Sequence, residues 1–301
     1  MPGHAHVAME DLLAIRARLN VWRHLPRTNL FEHFAGQQAS KHRGRGLDFE
    51  ELRHYRQGDD VRRIDWRVSQ RSGAPHIRVY SEESDRATTV LLDQRMGMFF
   101  GSQYDTKSAA AAKMTALIGW RDIHCGDRFG LCVFNEDDRV WLKPSRQQSK
   151  LLQCMHAMVD FNQRLRADKS VAQARPLRDQ LRLALGAGVA DQRLILISDL
   201  AGWCEDCPGL LQLLQQHHDV LVVLVYDPLE RDISRAKNSV FGNEVFQLHI
   251  DEALLQRPME DPYAAHIEQL DALGIPCVPL DASRDAIDDV LRYFSRLHLG
   301  R

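Results

Sequence analysis

The chain has 301 residues, 39 Lys plus Arg against 41 Asp plus Glu, a formal charge of −2 and 44% apolar residues, close to an ordinary soluble globular protein. This length suits one large domain or two ordinary ones and buries a core without disulfide staples, which excludes a disordered chain, a collagen-like chain and a disulfide scaffold. The longest clean apolar run, Val220–Tyr226, is far short of the roughly 18–20 residues that span a bilayer. Residues 1–30 lack the basic start and apolar block of a secretory leader, so a cytoplasmic protein with no membrane span is expected.

In chain order, residues 1–7 read as a loose tail, with His4 and His6 expected to be uninvolved. Residues 9–23 have helical spacing that ends before Pro26. The polar, basic, Gly-containing stretch 37–47 signals an exposed loop. From Phe49 to Tyr80 the chain is charged and aromatic, with one strand predicted at 76–80. Residues 88–93 (TTVLLD) form a continuous apolar run ending in an acid, the pattern of a buried parallel strand. Helices are then predicted at 107–121, 150–159, 177–185, 208–217, 263–273 and 286–297, and strands at 128–134, 140–142 (an edge), 193–199, 220–227, 245–250 and 276–280. Strands alternating with helices predict an α/β fold with a mostly parallel sheet covered on both faces.

A boundary is drawn at about residue 86, giving an N-terminal region (1–86) and a sheet domain (87–301). Residues 1–86 carry 15 Lys/Arg against 12 Asp/Glu, and the remainder 24 against 29. The split hints at two regions with separate charge, and is too small to argue for nucleic acid.

Ligands of open parallel sheets bind beyond the carboxyl ends of the strands, near the switch in strand order. Three predicted strands end in acids: Asp93, Asp199 and Asp227. Converging carboxylates could hold a hard divalent cation, an ion that takes oxygen ligands. The alternative is that each Asp caps the turn or helix after it. The run Arg53–Arg71 interleaves arginines with Asp59, Asp60 and Asp65. Mixed signs argue against a phosphate track and for a salt-bridged surface or joint, with Trp66 as an apolar anchor. Trp203-Cys204-Glu205-Asp206-Cys207-Pro208 has the form of a thioredoxin-like redox site, although two acids between the thiols disfavour a thiolate. Zinc shared by these cysteines with His217 and His218 is a weaker alternative, lacking a second ligand pair at standard spacing. Gly44-x-Gly46-x-x-Phe49 is only a near miss to a dinucleotide fingerprint, and there is no Walker A motif, nucleophile elbow, kinase set or HExxH.

A dense motif runs Gly44-Arg45-Gly46-Leu47-Asp48-Phe49-Glu50, Leu52-Arg53-His54-Tyr55, then Gly58-Asp59-Asp60-Val61-Arg62-Arg63-Ile64-Asp65-Trp66. It continues through Arg71, His76 and Glu82 to Asp93, with further matches at Gly126-Asp127-Arg128, Ile197-Ser198-Asp199, Asp227-Pro228-Leu229-Glu230 and Gly274-Ile275-Pro276. On these residues, positions 44–300 resemble the domain of unknown function 58 (DUF58) family. The resemblance implies a von Willebrand factor A-like (Rossmann-like) fold behind a smaller N-terminal region, and bacterial members are typically encoded beside MoxR-type AAA+ ATPases. It also implies a metal-ion-dependent adhesion site, Asp-x-Ser-x-Ser with a later Thr and a distal Asp. Asp93 matches the first acid and Asp199 the last. Arg95 and Gly97 stand at the two Ser positions, and Pro176 lies where the Thr is expected.

A guanidinium is an always-charged donor that cannot ligate a metal. The expected site is therefore degenerate and empty, with Arg95 in the metal's place paired to Asp93 or Asp199; a weakened Mg²⁺ site with Arg95 turned outward is the alternative. No cofactor is expected. The resemblance implies a non-enzymatic interaction or assembly protein whose partners are a MoxR-type AAA+ ATPase and a protein client, not nucleic acid. The face around Asp93, Arg95, Gly97 and Asp199 would meet an acidic or polar partner side chain. Asp59, Asp60, Arg62, Asp65 and Trp66 would lock the N-terminal region onto the sheet domain. The alternative function is a thiol-disulfide redox protein using Cys204 and Cys207.

Overall fold

Apolar runs shielded on both faces become central parallel strands, and this is how the chain folds. The computed structural model describes residues 5–20, 48–55, 64–81, 87–166, 177–186, 191–231, 240–242, 247–249 and 261–288. In chain order these hold α1 (Met9–Asn20), β1 (Asp48–His54), α2 (Trp66–Ser72), β2 (His76–Ser81), β3 (Ala87–Asp93), α3 (Lys107–Cys125), β4 (Arg128–Phe134), β5 (Arg139–Ser145) and α4 (Gln148–Gln163). There follow α5 (Leu177–Gly186), β6 (Gln192–Ser198), α6 (Asp206–Gln215), β7 (His218–Tyr226), α7 (Pro228–Arg231), β8 (Val240–Gly242), β9 (Gln247–His249), α8 (Ala264–Ala272) and β10 (Cys277–Asp281).

Six strands form one sheet in the order β10-β7-β6-β3-β4-β5. All neighbours are parallel except β5, which runs antiparallel to β4 at the edge. Strand order reverses at β3, the central strand, so the switch point lies beyond Asp93. Alternation along β3 splits the core: Val90 and Leu92 pack with Leu12, Leu117 and Leu151 on one face, while Leu91 packs with Leu177, Leu181, Leu211 and Leu270 on the other. Each such side chain contributes about 1.5–3 kcal/mol on burial. The edge strands each carry a proline, Pro144 in β5 and Pro279 in β10, and the four central strands carry none.

Helix α3 is buried along most of its length. It starts at Thr106, whose Oγ1 accepts from the Ala109 N–H at 3.2 Å, and it stops at Gly126, whose φ of +82° suits glycine. A Cβ on Gly119 would lie 2.5 Å from Leu151 Cδ1 and 3.3 Å from the Phe129 ring. The missing side chain therefore lets α3 sit close on α4 and β4.

Several expectations change. Met1–Ala39 groups with Ala87–Arg301 as one unit and Ser40–Arg86 forms another, whereas the sequence division kept 1–86 together. The physical reason is α1: Leu12 and Ile15 enter the core, the Trp120 Nε1–H donates to the Leu12 carbonyl at 2.9 Å, and Arg16 lies 5.1 Å over the Trp120 ring. Nor do residues 5–7 form a loose tail. The Val7 N–H donates to Asn162 Oδ1 at 2.8 Å, and the His6 ring stacks on Phe99 with centroids 4.9 Å apart. The strand predicted at 245–250 contains β9, and it pairs antiparallel with β8, a strand the sequence pattern did not mark.

In the second unit, β1 pairs antiparallel with β2 through a register shift between Phe49 and Glu51. Its sequence, DFEELRH, lacks the alternation that marks a strand. Asp65 caps α2 with Oδ1, accepting from the Arg67 and Val68 N–H groups at 3.0 and 3.1 Å. Asp59, Asp60, Arg62, Pro176 and residues 289–297 of the predicted closing helix lie outside the described residues.

Candidate functional site

Beyond the carboxyl ends of β3, β6 and β7, each strand-end Asp turns one oxygen back on the chain. Asp93 Oδ1 accepts from the Arg95 N–H at 3.0 Å, Asp199 Oδ1 from the Ala201 N–H at 2.9 Å and Asp227 Oδ1 from the Leu229 N–H at 2.9 Å. These are Asx-type turns, in which a short carboxylate satisfies the N–H two residues on. Turn capping therefore holds at all three positions, and it leaves the second oxygens of Asp93 and Asp199 for other partners.

Arg95 grips Asp93. Its Nε donates to Oδ1 at 2.9 Å and its Nη2 to Oδ2 at 2.6 Å, a bidentate charge-assisted pair. Nη2 also donates to the Ala201 carbonyl at 2.8 Å, and the Ser198 hydroxyl donates to Asp93 Oδ2 at 2.6 Å. The side chains of Asp93 and Arg95 are 0% and 7% exposed. Burial disfavours the Arg95 charge, but Asp93, with Asp199 and Glu136 behind it, more than offsets this and drives the guanidinium's pKa upward. Gly97 sits in the short turn of 3₁₀ helix at 96–98. A Cβ there would lie 3.3 Å from Asp199 Oδ2.

The second cation is Lys107, the first residue of α3. Its Nζ donates to Asp199 Oδ2 at 2.9 Å and to Glu230 Oε1 at 2.6 Å. Burial works against its charge, yet Asp199 and Glu230 together raise its pKa. Glu230 Oε2 accepts from the Tyr263 hydroxyl at 2.6 Å, and Asp227 accepts from Ser102 through both its hydroxyl and its N–H. The Glu136 carboxylate accepts from the Met96 N–H at 2.7 Å. Two buried cations thus pair with Asp93 at the end of β3, Asp199 just after β6 and Glu230 in α7, the helix after β7.

Of the residues singled out from sequence, Asp93, Arg95, Gly97 and Asp199 come together here. Asp65 makes a local cap in the other unit, and Trp66 beside it is 66% exposed. Lys107, Glu230 and Ser198 were missed as site residues. A signal for Lys107 was available: a lysine opening a long Ala-rich helix sets positive charge at the positive end of the macrodipole, and broken local rules mark functional or strained sites.

Cys204 and Cys207 flank the start of α6 with Sγ atoms 3.3 Å apart. His217 and His218 follow the far end of that helix, about 15 Å away at 1.5 Å per residue, so the four do not share an ion. Among the described residues no group of three or more His, Cys, Asp or Glu side chains is arranged to hold a metal, and no helix is long and apolar enough to cross a membrane.

The sequence profile described as "Protein of unknown function DUF58" matches residues 51–243. Uncharacterized protein Rv1480 of Mycobacterium tuberculosis is 27% identical over 271 residues, covering 85% of this chain and 81% of its own. Among solved structures, conserved hypothetical protein BatB from Bacteroides thetaiotaomicron is 15% identical, covers 71% of this chain and 98% of its own, and gives a TM-score of 0.42. The SpRpn10 VWA domain is also 15% identical, with 69% and 94% covered and a TM-score of 0.41.

Proposed function

We propose that the chain, which belongs to the DUF58 family of proteins of unknown function, is a non-enzymatic interaction or assembly factor whose adhesion-type metal site has become a fixed-charge site. The observation that carries this is the Arg95–Asp93 clamp. A divalent cation does not fit the donor set as it stands. Both Asp93 oxygens already accept from the Arg95 guanidinium and Oδ2 also from the Ser198 hydroxyl, Asp199 Oδ2 accepts from Lys107, and the two Ser positions of the adhesion motif are Arg95 and Gly97. Arg95 and Lys107 together supply two positive charges at the switch point, as a divalent ion would.

In this reading the face around Asp93, Arg95, Gly97 and Asp199, held in shape by the buried clamp, meets an acidic or polar side chain of the partner. The partner is a MoxR-type AAA+ ATPase acting on a protein client in the cytoplasm, which rests on the family resemblance. Two measurements test the proposal. Calorimetric titration with Mg²⁺ or Mn²⁺ is expected to give no saturable heat; saturable binding that disappears in Asp93→Ala overturns the fixed-charge reading. Purified neighbouring-gene ATPase is expected to bind the immobilised chain, and Arg95→Met to weaken that binding at least tenfold. No binding with or without ATP removes the assigned partner.

A further inference from the structure

We propose that Cys204 and Cys207 form a reversible dithiol–disulfide pair that sets the rigidity of the loop carrying Arg95's backbone acceptor. This inference is independent of the ATPase reading. It concerns a redox-responsive clip in the fold, not a turnover enzyme.

The two Sγ atoms are in contact at 3.3 Å, and the backbone holds them there. The Cys207 N–H donates to the Cys204 carbonyl at 3.0 Å, and the Cys204 N–H donates to Cys207 Sγ at 3.4 Å. Closing to a disulfide of about 2.05 Å needs only about 1.3 Å of further approach. Cys204 is partly exposed and Cys207 is buried against Leu211, so the outer sulfur is the one an oxidant reaches. The acid between them is offset: Asp206 pairs with Arg182 at 3.2 Å and with Arg178 at 3.6 Å. Arg178 also lies within electrostatic reach of Cys204. These pairs offset Asp206 in part, although its charge still raises the Cys207 thiol.

What singles out Cys204 and Cys207 is their sulfur contact and not acidity: burial pushes Cys132 and Cys154 up to about 12 and Cys207 and Cys277 alike up to about 11, and exposed Cys125 is distant in the chain at the end of α3.

What links the pair to the site is the short loop before it. Leu200 and Gly202 both have left-handed backbone, with φ of +60° and +77°. The Trp203 N–H donates back to the Leu200 carbonyl at 3.0 Å. Ala201, within this turn, gives its N–H to Asp199 and its carbonyl to Arg95. Fixing Cys204 to the first turn of α6 therefore anchors the turn that presents the Ala201 carbonyl.

The oxidant is a small-molecule disulfide of the glutathione class. The Cys204 thiolate attacks one of its sulfurs, forming a mixed disulfide and releasing one thiolate. Cys207, losing its proton, attacks Cys204 Sγ and releases the second thiol. Two protein thiols are oxidised and one external disulfide is reduced to two thiols, so electrons and atoms balance.

The full chain is equilibrated across ratios of oxidised to reduced glutathione, quenched in acid, alkylated and mapped by mass spectrometry. A Cys204–Cys207 disulfide is expected to appear at intermediate ratios and to reverse with reduced glutathione, while Cys207→Ser traps the mixed disulfide on Cys204. Thiols that stay reduced in excess oxidant, or a wild-type adduct on Cys204 that Cys207 never resolves, overturn the pair. Hydrogen exchange over residues 199–205 is expected to slow at least two-fold on oxidation, and not in Cys204→Ser/Cys207→Ser. Equal exchange in both redox states overturns the link to the loop.

Discussion

Replacing Arg95 by methionine keeps the length of the stem and removes the guanidinium, leaving the Asp93 carboxylate buried with the Ser198 hydroxyl and the Arg95 N–H still donating to it. Removing one partner of a buried pair costs about 3–5 kcal/mol. Two of the four donors to Asp93 survive, so the lower end, about 3 kcal/mol, is expected. Neither side chain is exposed enough for solvent to reduce this figure. At about 2–4 °C per kcal/mol for a unit of this size, the midpoint of thermal unfolding should fall by about 6–12 °C. Asp93→Asn in the Arg95→Met background should recover much of the loss, because a pair replaced by neutral groups leaves no orphan charge. A double-mutant cycle with a coupling of about 2 kcal/mol is the expected signature. An Arg95→Met midpoint within about 2 °C of wild type, with additive single and double variants, would show that the clamp does not hold the site together.

Gly119→Ala should destabilise by about 1–3 kcal/mol through overpacking against Leu151 and Phe129, measured by urea unfolding. Asp65→Ala should cost about 1 kcal/mol of α2 stability by loss of its cap, read as faster amide exchange at Arg67 and Val68. Trp66→Ala should stay within about 0.5 kcal/mol because its ring is exposed. For His218, burial and then His217 hold the ring's pKa below its ordinary value of 6.5, with Asp191 and Asp219 opposing, and its buried Nδ1 has no hydrogen-bond partner among the described residues. Protonation therefore favours the unfolded chain: the His218 contribution is full above the unfolded value and is lost as pH falls through the lower folded value. Melting curves should show an acid-side decline starting below pH 6.5 that is shallower in His218→Gln; the same decline in both refutes the assignment.

The central strands were legible because their residues are apolar on both faces, and Asp93 and Asp199 because each ends such a run. Arg95 and Gly97 stood out only against the family's hydroxyl pattern. What escaped was contact across distance: Lys107 meets Asp199 from 92 residues away and Glu230 from 123 residues away, and no local spacing encodes either pair. Strand β1 was missed for the opposite reason. Four of its seven residues are charged and its two apolar residues, Phe49 and Leu52, are out of alternation, so periodicity gave no signal, and pairing with β2 decides its conformation.

The placement of the two sheet prolines restricts how another chain can join this one. A peptide that adds a strand needs an uninterrupted row of backbone donors along an edge, and a proline there removes a donor and blunts the edge. Pro144 is moreover seated where Gly130 of β4 leaves room for it, since a Cβ on Gly130 would lie 2.8 Å from the proline ring. Each edge strand is thus one backbone donor short, which works as a guard against edge-to-edge stacking into fibres. Replacing Pro144 and Pro279 together should reveal that guard as concentration-dependent self-association in light scattering.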